Sequence, residues 1–283
     1  VFLRRYLIEP VPTVNNSLIR SLVKILDCYF EPFMPKEGRA PATKAALTNV
    51  LKSLESYFIF ALVWSIGCTC DKASRSKFDA FLRQEMAMHS IKHMFPDDGT
   101  SVYDYALVVD PETGSPSWVL WPEIAPPAKH DTKAAFADMI VQTADTVKYT
   151  YLLELLVEHK KHCLISGPTG TGKTVNIAQK LFHGMPKMYV PLQFTFSART
   201  SANMTQNIID GKTDKRRKGI YGPMVGKQFV IFIDDVNMPQ PEVFGAQPPI
   251  ELMRQWCCAG GWYDLKELTW RSIVDTILVL ACG

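Results

Sequence analysis

No apolar run in this sequence approaches the roughly 20 residues needed to cross a bilayer. The longest, Tyr57 to Ile66, reads instead as a buried helix. The N-terminus, Val1-Phe2-Leu3-Arg4-Arg5, lacks the apolar segment and small-residue cleavage site of a secretory leader. It also lacks an initiator Met, so the sequence reads as cut from a longer one. Neither sign of charge dominates. A net charge of +3 over 283 residues argues against a broad nucleic-acid face and against attraction to a membrane surface. Internal repeats and low-complexity segments are missing too. The seven cysteines, Cys28, Cys68, Cys70, Cys163, Cys257, Cys258 and Cys282, show no CxxC pair and no zinc spacing. They are expected to be reduced core thiols of a cytosolic protein. His89 and His93 stand four apart on a helical pattern, but no third ligand is near, so a solvated helix face is expected.

What is present is ordinary globular composition, 47% hydrophobic and 21% charged. The length suits one large or two ordinary domains. Residues 1–94 read as mainly helical. Asn15 or Asn16 is expected to cap a helix through Leu18, Leu22, Ile25 and Leu26, ended by Pro32 and Pro35. Ala42 to Ile66 reads as one long helix, with Leu47, Leu51, Leu54, Phe58 and Leu62 as its apolar repeat and Gly67 as its end. Ser74 to His93 reads as a third helix.

Residues 95–130 change character. Turn chemistry at Pro96-Asp97-Asp98-Gly99 and Asp110 to Gly114, with β-type residues from Tyr103 to Val109 and Ser117 to Trp121, predicts a β-hairpin. A linker containing Pro122, Pro126 and Pro127 follows. Trp118 and Trp121 are expected in packing rather than in ligand contact. From residue 131 to 283, helices and strands alternate. A helix is expected from Asp145 to Glu158 and strands at His162–Ser166, Met188–Phe196 and Phe229–Ile233. The last strand is expected at Ile273–Cys282, and a helix from Pro248 through Trp256. Such alternation predicts a parallel sheet flanked by helices. The basic run Lys212 to Lys218 reads as a solvated loop, with a nucleic-acid patch as its sharper alternative.

Two motifs carry chemistry. Gly167-Pro168-Thr169-Gly170-Thr171-Gly172-Lys173-Thr174 fits G-x-x-x-x-G-K-[ST] at every fixed position, between an apolar strand and a helix. Its glycines let successive N–H groups point at phosphate oxygens, and the helix N-terminus adds partial positive charge. Lys173 is expected at the β/γ-phosphates and the Thr174 hydroxyl on Mg²⁺. The second motif is the run Phe229 to Ile233, ending in Asp234-Asp235. Carboxylates at the end of a buried parallel strand face the ligand crevice of an α/β sheet. Asp234 is the expected Mg²⁺ partner, and Asp235 stands where a base polarises an attacking water. Either motif alone fits a surface turn; together they point to a nucleoside triphosphate site.

Longer strings are more specific. Phe232 to Pro239, followed by Phe244 to Trp256, resembles the dynein heavy chains of the axonemal class, as do Asp27 to Phe33 and Glu55 to Gly67. The likeness covers nearly the whole chain and is to the third of six AAA+ modules. It implies an AAA+ P-loop sheet at 131–283, preceded by the helical small subdomain of the second module and the hairpin. It implies ATP or ADP with Mg²⁺, adenine near Ile140 to Thr146, and a cytoplasmic location in the axoneme of a cilium or flagellum. The implied partners are neighbouring AAA+ modules, microtubules reached through other parts of the chain, and dynein intermediate and light chains, with no nucleic acid and no membrane. Two departures stand out. Asp235 occupies the position where related modules carry Glu, and the polar sensor position corresponds to Gly283. Both favour nucleotide holding with gating over rapid turnover. The alternative is another P-loop machine, such as a helicase or a ribosome-assembly ATPase.

Overall fold

In the computed structural model, which describes residues 1–35, 38, 41–91, 95, 99–110, 112–125 and 143–283, the chain divides at Tyr151/Leu152 into two units. The expected boundary at 130/131, the prolines 126 and 127, the turn residues 96–98 and His93 lie outside the described residues.

The first unit is built on helices. It contains α1 (Phe2–Tyr6), α2 (Asn15–Phe30), α3 (Lys44–Lys52), α4 (Leu54–Ser65) and α5 (Lys72–Met88). Helix α2 begins on Asn15 itself, with Val14 at the cap, and the chain continues past it as a 3₁₀ turn through Pro32. Thr43 caps α3 through the Ala46 N–H, and Asp71 caps α5 through the Ser74 N–H.

The expected single helix from Ala42 to Ile66 is broken at Ser53, where α3 and α4 meet at 57°. The expected apolar face is also corrected. Leu47, Leu51, Leu54 and Phe58 are exposed, whereas Tyr57, Phe60, Ala61 and Trp64 are buried. Helix α4 is apolar nearly all round, so its periodicity does not choose a face; its aromatics do. Tyr57 and Trp64 bury large rings. The Tyr57 hydroxyl donates to the Gly114 carbonyl at 3.1 Å. Trp64 meets Trp121 and Tyr103 edge-on. Among the described residues no single helix is long and apolar enough to cross a membrane.

The hairpin forms as expected from β1 (Tyr105–Val109) and β2 (Pro116–Leu120), with Leu107 opposite Trp118. The short helix α6 (Trp121–Ile124) follows. Trp121 is fully buried and its indole N–H donates to the Tyr103 carbonyl at 2.9 Å, while Trp118 packs on Phe60 and Phe95. Trp121 is therefore core, and Trp118 is half-buried in aromatic packing. The division between the units falls inside α7 (Ala144–Glu158).

The second unit continues with β3 (Cys163–Ser166), α8 (Lys173–His183), β4 (Tyr189–Thr195), α9 (Ala202–Asp210), β5 (Asp214–Arg217), β6 (Ile220–Gly222) and β7 (Gln228–Asp234). It closes with α10 (Pro248–Ala259), β8 (Gly261–Tyr263), β9 (Trp270–Ile273) and β10 (Thr276–Cys282). Ser201 caps α9 through the Met204 N–H. Four strands pair in the order β3-β10-β7-β4, all parallel.

Both faces of this sheet are covered. Val230 and Phe232 of β7 pack with Leu153, Val157, Ile177 and Leu181. Ile231 and Ile233 pack on the other face with Ile209, Met253 and Trp256. Period-two alternation into two dry cores is why β7 reads as a continuous apolar run.

A second sheet, β5-β6-β9-β8, differs from expectation. The basic run is not a loop: Asp214 to Arg217 pairs with β6. Nor is Ile273–Cys282 one strand. Asp275, at φ 49°, separates β9 from β10, which lie in different sheets. The Arg216 guanidinium reaches Asp275 at 2.5 Å and Lys160 reaches it at 3.3 Å. The cysteines are thiols outside any disulfide, but Cys257 and Cys258 are exposed on α10 rather than in the core.

Burial pushes the Asp275 carboxyl up, yet the bonds from Arg216 and Lys160 and their charges hold it below the usual carboxylate range. A depressed folded value contributes stability that is present above the unfolded value of about 3.9 and is lost as pH falls through the folded value. Asp275→Asn is therefore expected to lower stability at pH 7 and to flatten the loss of stability below about pH 4. Urea midpoints measured from pH 7 to pH 3 check this; parallel wild-type and variant curves would contradict it.

Candidate nucleotide site

The site grows from the ends of β3 and β7. Strand β10 lies between them, with Leu280 beside both Leu164 and Ile233. The loop after β3 is bound to the end of β10 by the Gly167 N–H, which donates to the Cys282 carbonyl at 3.3 Å.

Gly170 and Gly172 sit at φ 83° and 78°, a conformation that side chains disfavour, and Gly172 is the residue from which α8 starts. Among the described residues no side chain caps α8, so its first N–H groups point out of the helix end towards the loop. Thr171 steadies the loop through the Pro168 carbonyl at 2.9 Å. The Lys173 ammonium folds over it and donates to the carbonyls of Gly167 at 2.5 Å and Pro168 at 2.8 Å.

Thr174, on the first turn of α8, donates its hydroxyl to Asp234 Oδ2 at 2.6 Å. Asp234 is buried; its other oxygen accepts the Asp235 N–H at 3.0 Å, and its carbonyl accepts from the Phe196 N–H. Thr174 and Asp234, sixty residues apart, are thus in contact. A hydroxyl and a carboxylate side by side are hard oxygen donors of the kind Mg²⁺ takes, so the donor set fits that ion.

Asp235 is exposed at the mouth, with φ 51°. Asx residues tolerate this left-handed region better than most. Burial pushes the Cys282 thiol up, opposed by the nearby Lys173 charge.

Gly283 carries no side chain, as expected, but its N–H donates to Asn237 Oδ1 at 3.4 Å. The polar group at the end of β10 therefore comes from the turn after β7. Asn237 and Gln247, whose side chain bonds the same turn, were missed as site residues; both lie inside the strings that carried the resemblance.

Of the expected adenine segment, residues 140–142 lie outside the described set, and the Thr143 hydroxyl accepts the Thr146 N–H at the start of α7. His89 pairs with Glu85 at 3.7 Å, and no metal-binding group of three His, Cys, Asp or Glu exists among the described residues. The basic run offers no uniform patch, since Arg216 turns in to Asp275.

A doubly covered parallel sheet with a glycine-rich phosphate loop, and a buried carboxylate on the next strand but one, defines a P-loop NTPase domain. Residues 128–283 match the family described as the P-loop containing dynein motor region, and residues 1–123 match the dynein heavy chain AAA lid domain. The chain is 44% identical to dynein axonemal heavy chain 1 of Mus musculus over an alignment of 295 positions that includes all of it. It is 43% identical to dynein axonemal heavy chain 12 of Rattus norvegicus, over 96% of the chain. To dynein axonemal heavy chain 3 of Mus musculus it is 41% identical, over 81%. The chain belongs to the dynein heavy-chain motor family. It spans 7%, 9% and 6% of the lengths of these relatives.

Thr174→Val removes the hydroxyl while keeping the shape. The loss of one oxygen ligand to the ion, taken as worth about the 1.5–3 kcal/mol of a hydrogen bond to a charged group, is expected to lower Mg-ATP affinity roughly ten- to a hundredfold. Titration with a fluorescent ATP analogue, with and without magnesium, reads this. A magnesium-dependent affinity equal to wild type would remove Thr174 from the metal site.

Proposed function

We propose that residues 131–283 form the large subdomain of the third AAA+ module of a dynein heavy chain, and that residues 1–94 finish the second. The module holds ATP or ADP with Mg²⁺, and its nucleotide state gates microtubule-based motility, with slow hydrolysis at the site itself. It works beside neighbouring AAA+ modules of the same heavy chain, in the axoneme of a cilium or flagellum. Microtubules, intermediate chains and light chains engage other parts of the heavy chain. The observation that carries the nucleotide reading is the bond from Thr174 to Asp234 at 2.6 Å, which closes a phosphate loop onto a buried carboxylate. The family membership carries the motor reading.

The chemistry follows from these residues. The N–H groups of the loop and of the α8 terminus bind phosphate oxygens, and Lys173 exchanges the carbonyls of Gly167 and Pro168 for the β/γ-phosphates. Thr174 and Asp234 hold Mg²⁺, which when bound neutralises charge on the phosphate oxygens. Asp235 accepts a proton from the attacking water. Its side chain is one methylene shorter than Glu, and a misplacement of about 1 Å can cost about 10²-fold in rate. Slow turnover and long nucleotide residence follow from that. Membership of the dynein family displaces the helicase and ribosome-assembly alternatives.

Gating requires that nucleotide here change affinity or rate elsewhere in the motor. In the full heavy chain, Lys173→Ala is expected to slow microtubule gliding and to change microtubule affinity. Unchanged velocity and affinity, with nucleotide binding at this site abolished, would refute gating while leaving the binding site standing.

A further inference from the structure

Asp235 sits on a turn whose backbone is in the left-handed region, at φ 51°. A non-glycine residue there persists only where its surroundings hold it. The turn is bound from several sides. The Val236 N–H donates to the Ala281 carbonyl at 2.9 Å, and the Met238 N–H donates to the Asp235 carbonyl at 3.0 Å. From α10, the Gln247 side-chain amide donates to two carbonyls of the turn, Asn237 at 3.1 Å and Pro239 at 2.6 Å. Among the described residues, two side chains from outside the turn bond its backbone: the Asp234 carboxylate accepts the Asp235 N–H at 3.0 Å, and Gln247 donates to the two carbonyls farther along.

Gln247 is itself rigidly placed. It is the N-cap residue of α10, and its carbonyl accepts from the N–H groups of Ile250 and Glu251 at 3.0 and 3.1 Å. Pro248 and Pro249 fix the backbone that follows. Helix α10 is seated in the core by Leu252, Met253 and Trp256. A continuous strut therefore runs from the core through α10 and the Gln247 amide to the turn that presents Asp235.

We infer that Gln247 is a positioning residue for the attack on the γ-phosphate, holding Asp235 in its left-handed turn without touching nucleotide. The inference rests on the reading of this site as one that binds and slowly hydrolyses ATP. The step it serves is attack of water on the γ-phosphorus. The new P–O bond forms as the bond to the ADP oxygen breaks, and the proton of the water passes to Asp235. Gln247 exchanges no proton; it sets where the carboxylate stands.

The test uses the full heavy chain with every other phosphate-loop lysine replaced by alanine, so that turnover reports this site. Gln247→Ala removes the side chain. Gln247→Glu keeps its length but replaces the donor with a carboxylate, which cannot bond two carbonyls. Both variants are expected to bind Mg-ATP within about twofold of wild type while kcat falls about tenfold or more, since a misplacement of about 1 Å costs up to 10²-fold. Hydrogen exchange, read without nucleotide, is expected to show the Met238 amide exchanging faster in both variants. Wild-type kcat and exchange in both variants would overturn the inference and leave the nucleotide reading intact. So would a parallel loss of affinity and rate, which is the mark of a structural support. Wild-type turnover no faster than that of Lys173→Ala, with Mg-ATP still bound, would overturn it too. Wild-type protein that binds no Mg-ATP would instead bring down the nucleotide site on which the inference stands.

Discussion

A single contact of 2.6 Å, from the Thr174 hydroxyl to Asp234, ties the two halves of the nucleotide site together. The halves do not lie on adjacent strands. The phosphate loop leaves β3 and Asp234 ends β7, and β10 runs between them with hydrogen bonds to both. The distance between Lys173 and Asp234 is therefore set by the register of β10. A slip of one residue in that strand would exchange Ile277, Val279 and Ala281 for Leu278 and Cys282 across the two cores. Two dry faces hold the register, and the register holds the site.

Much of this was legible in the sequence because it is written locally. An apolar run ending in a glycine-rich loop, and another ending in two aspartates, each fix a strand and its functional end within about ten residues. The hairpin from Tyr105 to Leu120 and the helices α7, α8 and α10 were legible for the same reason. The fold class follows from the alternation of these elements. The aromatic face of α4 was not legible. Where every side of a helix is apolar, periodicity gives no direction, and partners distant in sequence decide, as Gly114 and Trp121 do for Tyr57 and Trp64.

The second sheet was hidden for a different reason. Its strands are three or four residues long, and β6 pairs in parallel with β9, about fifty residues away. Nothing in a window around Lys212 to Lys218 announces that Arg216 turns inward, because its partner Asp275 is 59 residues distant. The same holds within the site. Lys173, Thr174, Asp234 and Asp235 carry motif spacing. Asn237 and Gln247 owe their positions to the conformation of one turn, and no pattern of residue types encodes that conformation.

This difference in origin separates the two tasks of the site. Phosphate is met by backbone N–H groups whose directions are fixed by Gly170, Gly172 and the first turn of α8, and α8 is seated in the core by Ile177 and Leu181. Many independent constraints hold that half, so losing one leaves the others in place. The carboxylate proposed to face the attacking water depends on a turn in a sparsely populated conformation, on an aspartate of short reach, and on a few bonds from β10 and α10. Charge stabilisation tolerates small displacements because its energy falls gradually with distance, whereas proton transfer needs heavy atoms about 2.6–3.2 Å apart. Under the proposed function, an architecture with the first half overdetermined and the second finely balanced would retain nucleotide readily and hydrolyse it slowly.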